Sequence, residues 1–458
     1  MSNSASRDIA NSIHPYTNLK LHESQGPLVV TEGDGVFVRD ENGKTYLESL
    51  AGLWCVSLGF SERRLAEAAY RQMLKLPYYH TFAHKANDVG IELAEKLLNI
   101  APVSMSRVFF VNSGSEANDT VVKLVWYYNN ALGRPLKKKI ISRSKAYHGV
   151  TVASASLTGL PNNHRDFDLP LPNILHVECP HWYRFGQPGE TEQEFASRMA
   201  SSLEQRILSE GPETVAAMIA EPIMGAGGVL LPPATYWEKV QAVLKKYDVM
   251  LIADEVICGF GRTGNMWGSI TYDLKPDIIT CAKALSSGYL PIGAVMISAE
   301  VYNALIKQSE KIGVFSHGFT YSGHPVTSAV ALETLKIYEE TDLLSHVRKV
   351  APYMQAGLAR YKDHPLVGEV RGIGLIGAIE LVADKATKAP LDPKAGVGDF
   401  LAKRAHHHGA IIRALGDNIP FCPPLIIKEH EIDLMFERFE LALADTVDMV
   451  RERKLALA

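Results

Sequence analysis

The sequence predicts an α/β protein: a large, mostly parallel central sheet flanked by helices, joined to a smaller α+β unit. Three observations lead there. Short β-rich apolar runs alternate with longer amphipathic stretches through the middle of the chain, as strand–helix–strand units require. Beyond Pro325 the alternation gives way to consecutive helices and isolated apolar runs. Finally, 458 residues, 47% of them apolar, exceed what one ordinary core holds, so more than one packed unit is expected.

Residues 1–61 carry the turn signals Gly33-Asp34-Gly35 and Glu41-Asn42-Gly43 and are read as strands packing with the smaller unit. Residues 62–322 form the large unit, with strand-like runs at 108–111, 140–142, 215–220, 249–253, 278–281 and 294–298. Helix-like stretches at 116–128 and 236–246 lie between them. Residues 323–458 make the smaller unit: a helix over 326–340, another helix, apolar segments at 375–381 and 410–414, and a terminal helix over 429–447.

Composition excludes several function classes. A net charge of −4 with both signs interspersed offers no field for nucleic acid or an anionic membrane. The one dense basic run, Lys137 to Lys139, is read as a solvated lead-in to a strand. Cys55, Cys179, Cys258, Cys281 and Cys422 show no paired spacing, which fits neither a disulfide framework nor a zinc site and suits a reducing cytoplasm. No apolar run has the length of a membrane span, and the first thirteen residues lack the apolar core of a signal peptide. His406-His407-His408 point in different directions on a helix and do not read as a shared metal site.

Two G-x-G-x-x-G strings, Gly259 to Gly264 and Gly372 to Gly377, resemble dinucleotide fingerprints, but neither opens a helix, so both are read as turn glycines. A different set is more informative. Lys283 closes the run 278–282, and Asp254 closes 249–253. In open α/β sheets, ligands bind at these carboxyl ends. An amine and a carboxylate on one rim are what pyridoxal phosphate requires: the amine joins its aldehyde, and the carboxylate keeps its ring nitrogen protonated. Singly, each also fits a solvated lysine or a loop-capping aspartate. The turn Asn112-Ser113-Gly114-Ser115-Glu116 follows a strand and precedes a helix, so it is either a phosphate cradle or an ordinary helix cap. Tyr147-His148-Gly149, after another strand, offers an aromatic to stack on a ring or simply to pack.

Taken in order, Asn112-Ser113-Gly114-Ser115-Glu116-Ala117, Tyr147-His148-Gly149, Glu221-Pro222, Asp254-Glu255-Val256, Lys283 and Thr320-Tyr321-Ser322-Gly323-His324-Pro325 resemble the class III aminotransferases, over nearly the whole chain. These are fold type I pyridoxal-phosphate transferases with a mixed, mostly parallel sheet. The branch most similar is the ω-transaminases. The resemblance implies pyridoxal 5'-phosphate as cofactor and transfer of an amino group from an amine or ω-amino acid to pyruvate by a ping-pong mechanism. The products would be an aldehyde or ketone and alanine. It makes Lys283 the Schiff-base lysine and proton carrier, and Asp254 the partner of the ring nitrogen. Ser113, Gly114, Ser115, His148, Glu221 and Val256 fall in the cofactor-binding motifs, Tyr147 would stack on the ring, and Thr320 would reach the phosphate from the neighbouring subunit. A homodimer or dimer of dimers with shared active sites follows from that last role.

Substrate residues implied by the resemblance are Trp54, Phe82 and Phe319, lining an apolar pocket, and Arg413, which grips a carboxylate and withdraws for an apolar amine. A guanidinium suits this, because it meets a carboxylate with two parallel hydrogen bonds. Ala226 stands where the ornithine and 4-aminobutyrate branches place a glutamate that holds this arginine away, which favours the amine:pyruvate branch. Met224 replaces a common glutamine, and Ala284 a usual glycine. The alternatives within the family are a 4-aminobutyrate-type transaminase and enzymes like dialkylglycine decarboxylase or the aminomutases.

Overall fold

In a computed structural model, which describes residues 3–455, the centre of the chain is a seven-stranded sheet. Its strands are β1 (Arg107–Val111), β2 (Lys139–Arg143), β3 (Ile174–Val177), β4 (Val215–Ala220), β5 (Met250–Asp254), β6 (Ile278–Cys281) and β7 (Gly293–Ile297). They lie in the order β1-β7-β6-β5-β4-β2-β3. The pairs from β6 through β3 are parallel, whereas β7 runs antiparallel to both β6 and β1. Six of the seven strands match expected apolar runs. The seventh, β3, has only four residues with His176 among them, too short and too polar to stand out by pattern.

Every residue of β4, β6 and β7 is buried, which explains why they read as continuous apolar runs rather than alternating ones. Alternate side chains of β4 feed different cores. Ala217 and Ile219 join Val121 and Val125 of the helix Gly114–Ala131, while Met218 and Ala220 join Phe195 and Leu203 of the helix Glu192–Glu210. Helices therefore cover both faces, and the carboxyl ends of the parallel strands open on one rim.

The chain termini supply two smaller sheets. Strands Val30–Asp34, Phe37–Asp40 and Thr45–Glu48 form an antiparallel meander, turned at Gly35 and Gly43, both with positive φ. A late strand, Ala410–Ile411, adds in parallel, pairing Leu47 with Ala410 and Glu48 with Ile411. It ends well short of the expected 410–414, so Arg413 lies beyond the strand. The third sheet, Val367–Ile373, Ile376–Leu381 and Asn418–Phe421, is antiparallel. The long helices Leu343–Ala359 and Glu429–Glu452 pack against it, and Pro325–Glu340 packs on the helices Arg63–Lys75 and Asp88–Ile100. Two short helices, Ser4–Asn11 and Leu19–Gln25, precede the first strand and were not expected from the polar sequence there.

Both glycine strings are turns. Gly374, at φ +59, sits in the hairpin between Ile373 and Ile376, and a Cβ there would meet Arg262 O at 2.4 Å. After the Gly259–Gly264 string comes one helical turn, Gly268–Thr271, whose first amides are occupied by the buried Glu255 carboxylate. The basic run differs from expectation. Lys137 is buried and donates to Asp248 O at 2.6 Å and Oδ2 at 3.1 Å, and Lys139 pairs with Glu210. These lysines tie strand and helix ends together instead of facing solvent. No helix among the described residues is long and apolar enough to cross a membrane.

Candidate active site

Strands β5 and β6 run side by side in parallel, with Asp254 opposite Thr280, so their carboxyl ends deliver Asp254 and Lys283 to one rim. Between them and β1 lies a cleft of ≈ 370 Å³. Ser113, Gly114, Ser115, Tyr147, His148, Glu221, Asp254, Val256 and Lys283 all line it. Nine of the expected site residues, from five separate stretches of sequence, thus share one cavity.

Lys283 opens a 3-10 turn, Lys283–Ser286, with φ +47, a conformation that costs a non-glycine residue energy and places it at the cleft. Burial drives its ammonium below the ordinary 10.5, raising the fraction of nucleophilic neutral amine. Asp254 is buried and fixed by three donors. His148 Nδ1 lies 2.7 Å and Asn118 Nδ2 2.8 Å from Oδ2, and the Val256 amide donates to Oδ1 at 3.1 Å. A buried carboxylate held this way keeps one orientation. Asn118 is the contact that sequence reasoning did not single out. It lies one turn into the helix after Ser113–Ser115, and its spacing from that turn is the only signal that could have marked it.

Glu221 is buried behind the Tyr147 loop. Its two oxygens accept from the Tyr147 amide at 3.1 Å and the Gly225 amide at 2.8 Å, and burial pushes its carboxyl above the usual range. Tyr147's hydroxyl is raised in turn, chiefly by burial and then by the Tyr16 hydroxyl beside it. Tyr16, from the N-terminal segment, is a second unforeseen neighbour of the site.

The anion-binding end of the cleft is the start of the helix Gly114–Ala131. Ser113 caps it, accepting the Glu116 amide at 3.1 Å, and Glu116 accepts the Asn112 amide at 2.8 Å. Ser115 Oγ accepts the Val150 amide at 3.1 Å, which leaves its proton free to donate. A Cβ on Gly114 would fall 3.0 Å from Val256, so glycine lets the backbone approach the cleft wall. Free amides, a helix dipole and a hydroxyl suit a phosphate. With an amine, a fixed carboxylate and an aromatic on the other sides, the donor set fits pyridoxal phosphate.

Other expected residues lie elsewhere. Trp54 is buried in an apolar cluster with Ile257, which itself lines the cleft, so it stands just behind the wall. Arg413 is half-buried, close enough for its charge to act on Tyr147, and no carboxylate among the described residues pairs with it. Phe82, Phe319 and Thr320 do not reach the cleft of their own chain. A Cβ on Gly318 would meet Phe82, Phe319 stands edge-on to His317 at 5.4 Å, and the Thr320 carbonyl accepts from Tyr78 at 2.9 Å.

The sheet order and the contents of this cleft define a pyridoxal-phosphate-dependent transferase. The family model for class III aminotransferases matches residues 20–443, and the chain belongs to that family. It is 55% identical to tomato (Solanum lycopersicum) "Gamma aminobutyrate transaminase 3, chloroplastic", over 93% of this chain and 82% of that protein. Among solved structures, the ω-transaminase of Pseudomonas jessenii in complex with PMP is 57% identical with a TM-score of 0.96, covering 98% of this chain and 99% of that one. A transaminase structure with L-alanine is 59% identical with a TM-score of 0.91, covering 92% of this chain and all of that one.

Proposed function

We propose that this aminotransferase moves an amino group from an amine or ω-amino acid to pyruvate, forming alanine. The observation that carries the reading is Arg413: a half-buried guanidinium near Tyr147 that no carboxylate among the described residues occupies. Ala226, where related branches hold a glutamate, presents a methyl group that cannot pin it. A free guanidinium can receive the carboxylate of a small keto acid and can leave for an uncharged amine. The similarity to a transaminase structure with L-alanine supports the acceptor.

Bound pyridoxal phosphate supplies the electron sink for the charge left when a proton leaves the substrate carbon. Lys283, whose charged form burial disfavours, would take that proton on Nζ and return it. Asp254, held by His148 and Asn118, would keep a proton on the ring nitrogen of the bound cofactor. The start of the helix at Gly114 and Ser115 would hold the phosphate, and Tyr147 would face the ring. Thr320, Phe82 and Phe319 would then complete the site from a partner subunit, since they lie away from their own chain's cleft. A homodimer, or a dimer of dimers, in the cytoplasm completes the reading; the free cysteines agree with that compartment.

A second reading, 4-aminobutyrate as physiological donor, is favoured by the tomato relative. It is an ω-amino acid, so both readings share the chemistry and differ in what Arg413 must bind. Steady-state rates for a donor panel against pyruvate and 2-oxoglutarate test them. Pyruvate should exceed 2-oxoglutarate by about tenfold or more in kcat/KM, and a preference for 2-oxoglutarate would remove the basis for the pyruvate assignment.

A further inference from the structure

The N-terminal segment carries a cluster outside the cleft. Its two helices, Ser4–Asn11 and Leu19–Gln25, meet at a polar junction. The Nε2 atoms of His14 and His22 lie 2.7 and 3.2 Å from one oxygen, Asp8 Oδ2. The two imidazoles lie 4.1 Å apart between centroids, and the three donor atoms fall within 4.8 Å of one another. Among the described residues no lysine or arginine pairs with Asp8. The other cluster of this kind among the described residues, His181 with Glu369 and Glu380, is different, because Arg371 and Arg184 already occupy its carboxylates.

Two features favour a cation over simple packing. The first helix buries no side chain and the second buries only His22. Helices of 8 and 7 residues do not persist without such contacts. The junction that holds them is therefore filled by an imidazole, where an apolar side chain would serve packing better. The second feature is size. Tetrahedral zinc with bonds of about 2.0–2.1 Å sets its ligand atoms about 3.3 Å apart. The His–Asp separations of 2.7 and 3.2 Å reach this with small shifts, and two imidazoles with a carboxylate are a donor set for zinc-like ions. His14 also stands two residues before Tyr16, whose hydroxyl accepts from Asn163 Nδ2 at 2.6 Å and adjoins the Tyr147 hydroxyl.

We propose that Asp8, His14 and His22 bind one zinc-like divalent cation per chain, with the remaining coordination open to water, and that this ion fastens the N-terminal segment and so holds Tyr16 against Tyr147 at the cleft.

Tag-free holoenzyme, dialysed against EDTA, is titrated with Zn²⁺ and with Co²⁺, the latter read by its visible absorption. Limited proteolysis of the N-terminal segment is followed in parallel. Wild type should bind one ion per chain and become more protease-resistant on binding. His14→Ala and His22→Ala should each weaken binding by more than about tenfold, the lower end of what even an outer partner of a metal site is worth. His14→Ala leaves the buried His22 in place, so without metal it should be cleaved at the wild-type rate while gaining no protection from Zn²⁺. Equal binding by wild type and both variants, or none at tens of micromolar Zn²⁺, overturns the site. Binding that depends on both histidines yet leaves proteolysis unchanged overturns the fastening role.

Discussion

Glu48→Gln probes a buried carboxyl that holds the loop leading to Trp54. Glu48 accepts the Leu50 amide at 2.8 Å and the Gly52 amide, in a stretch where Ala51, Gly52 and Trp54 all have positive φ. Burial raises its carboxyl from an ordinary 4.5 to about 7. The folded state thus binds this proton more tightly than the unfolded chain, so stability falls as pH rises from about 4.5 to about 7 and stays lower above that. With about 1.4 kcal/mol per pKa unit, the carboxyl costs about 0.8 kcal/mol at about pH 5 and about 3.3 kcal/mol at about pH 8. Glutamine removes that dependence. It also turns an amide donor toward one of the two backbone N–H groups, a loss that does not vary with pH. The variant's Tm relative to wild type should therefore rise by about 2–3 °C between about pH 5 and about pH 8, given the unfolding entropy of a chain this long. Differential scanning calorimetry at matched cofactor loading measures it. A relative Tm that stays flat, or falls with pH, would refute the reasoning.

Three further outcomes are expected. Arg413→Ala should lower kcat/KM for pyruvate by about a hundredfold while changing an uncharged amine by less than about threefold; equal losses would show that Arg413 does not discriminate by charge. Asn118→Leu removes one of the donors fixing Asp254 and should lower kcat by about tenfold with little change in donor KM. A wild-type kcat would mean that His148 and the Val256 amide suffice to position the carboxylate. Asp254→Asn should cost several orders of magnitude in rate, measured in single turnovers with cofactor in excess, and a near-neutral effect would remove Asp254 from its assigned place.

The strands that build the site were legible because buried parallel strands need largely apolar runs, and β4, β5 and β6 have them. Lys283 and Asp254 could be placed because each closes such a run, and chain direction alone puts both on the same rim. Edges were harder to read. β3 is short and interrupted by His176, and the strand at Ala410 stops after two residues because only Leu47 and Glu48 are there to pair with it. Tertiary partners were not legible at all. Nothing local marks Lys137 as buried beneath Asp248, Asn118 as the donor to Asp254, or Tyr16 as a neighbour of Tyr147. Each depends on segments 111 to 136 residues apart meeting in space. Phe82, Phe319 and Thr320 lie beyond the reach of their own chain's cleft, which pattern reading along one chain cannot reveal.

The most direct test of the central claim is Lys283→Ala, purified with pyridoxal phosphate and scanned in the visible before and after adding an amine donor. The variant should lack the absorbance of cofactor joined to the lysine, which wild type shows and loses on adding amine, and it should not turn over. Wild-type absorbance with wild-type transamination in Lys283→Ala would contradict the assignment of this lysine.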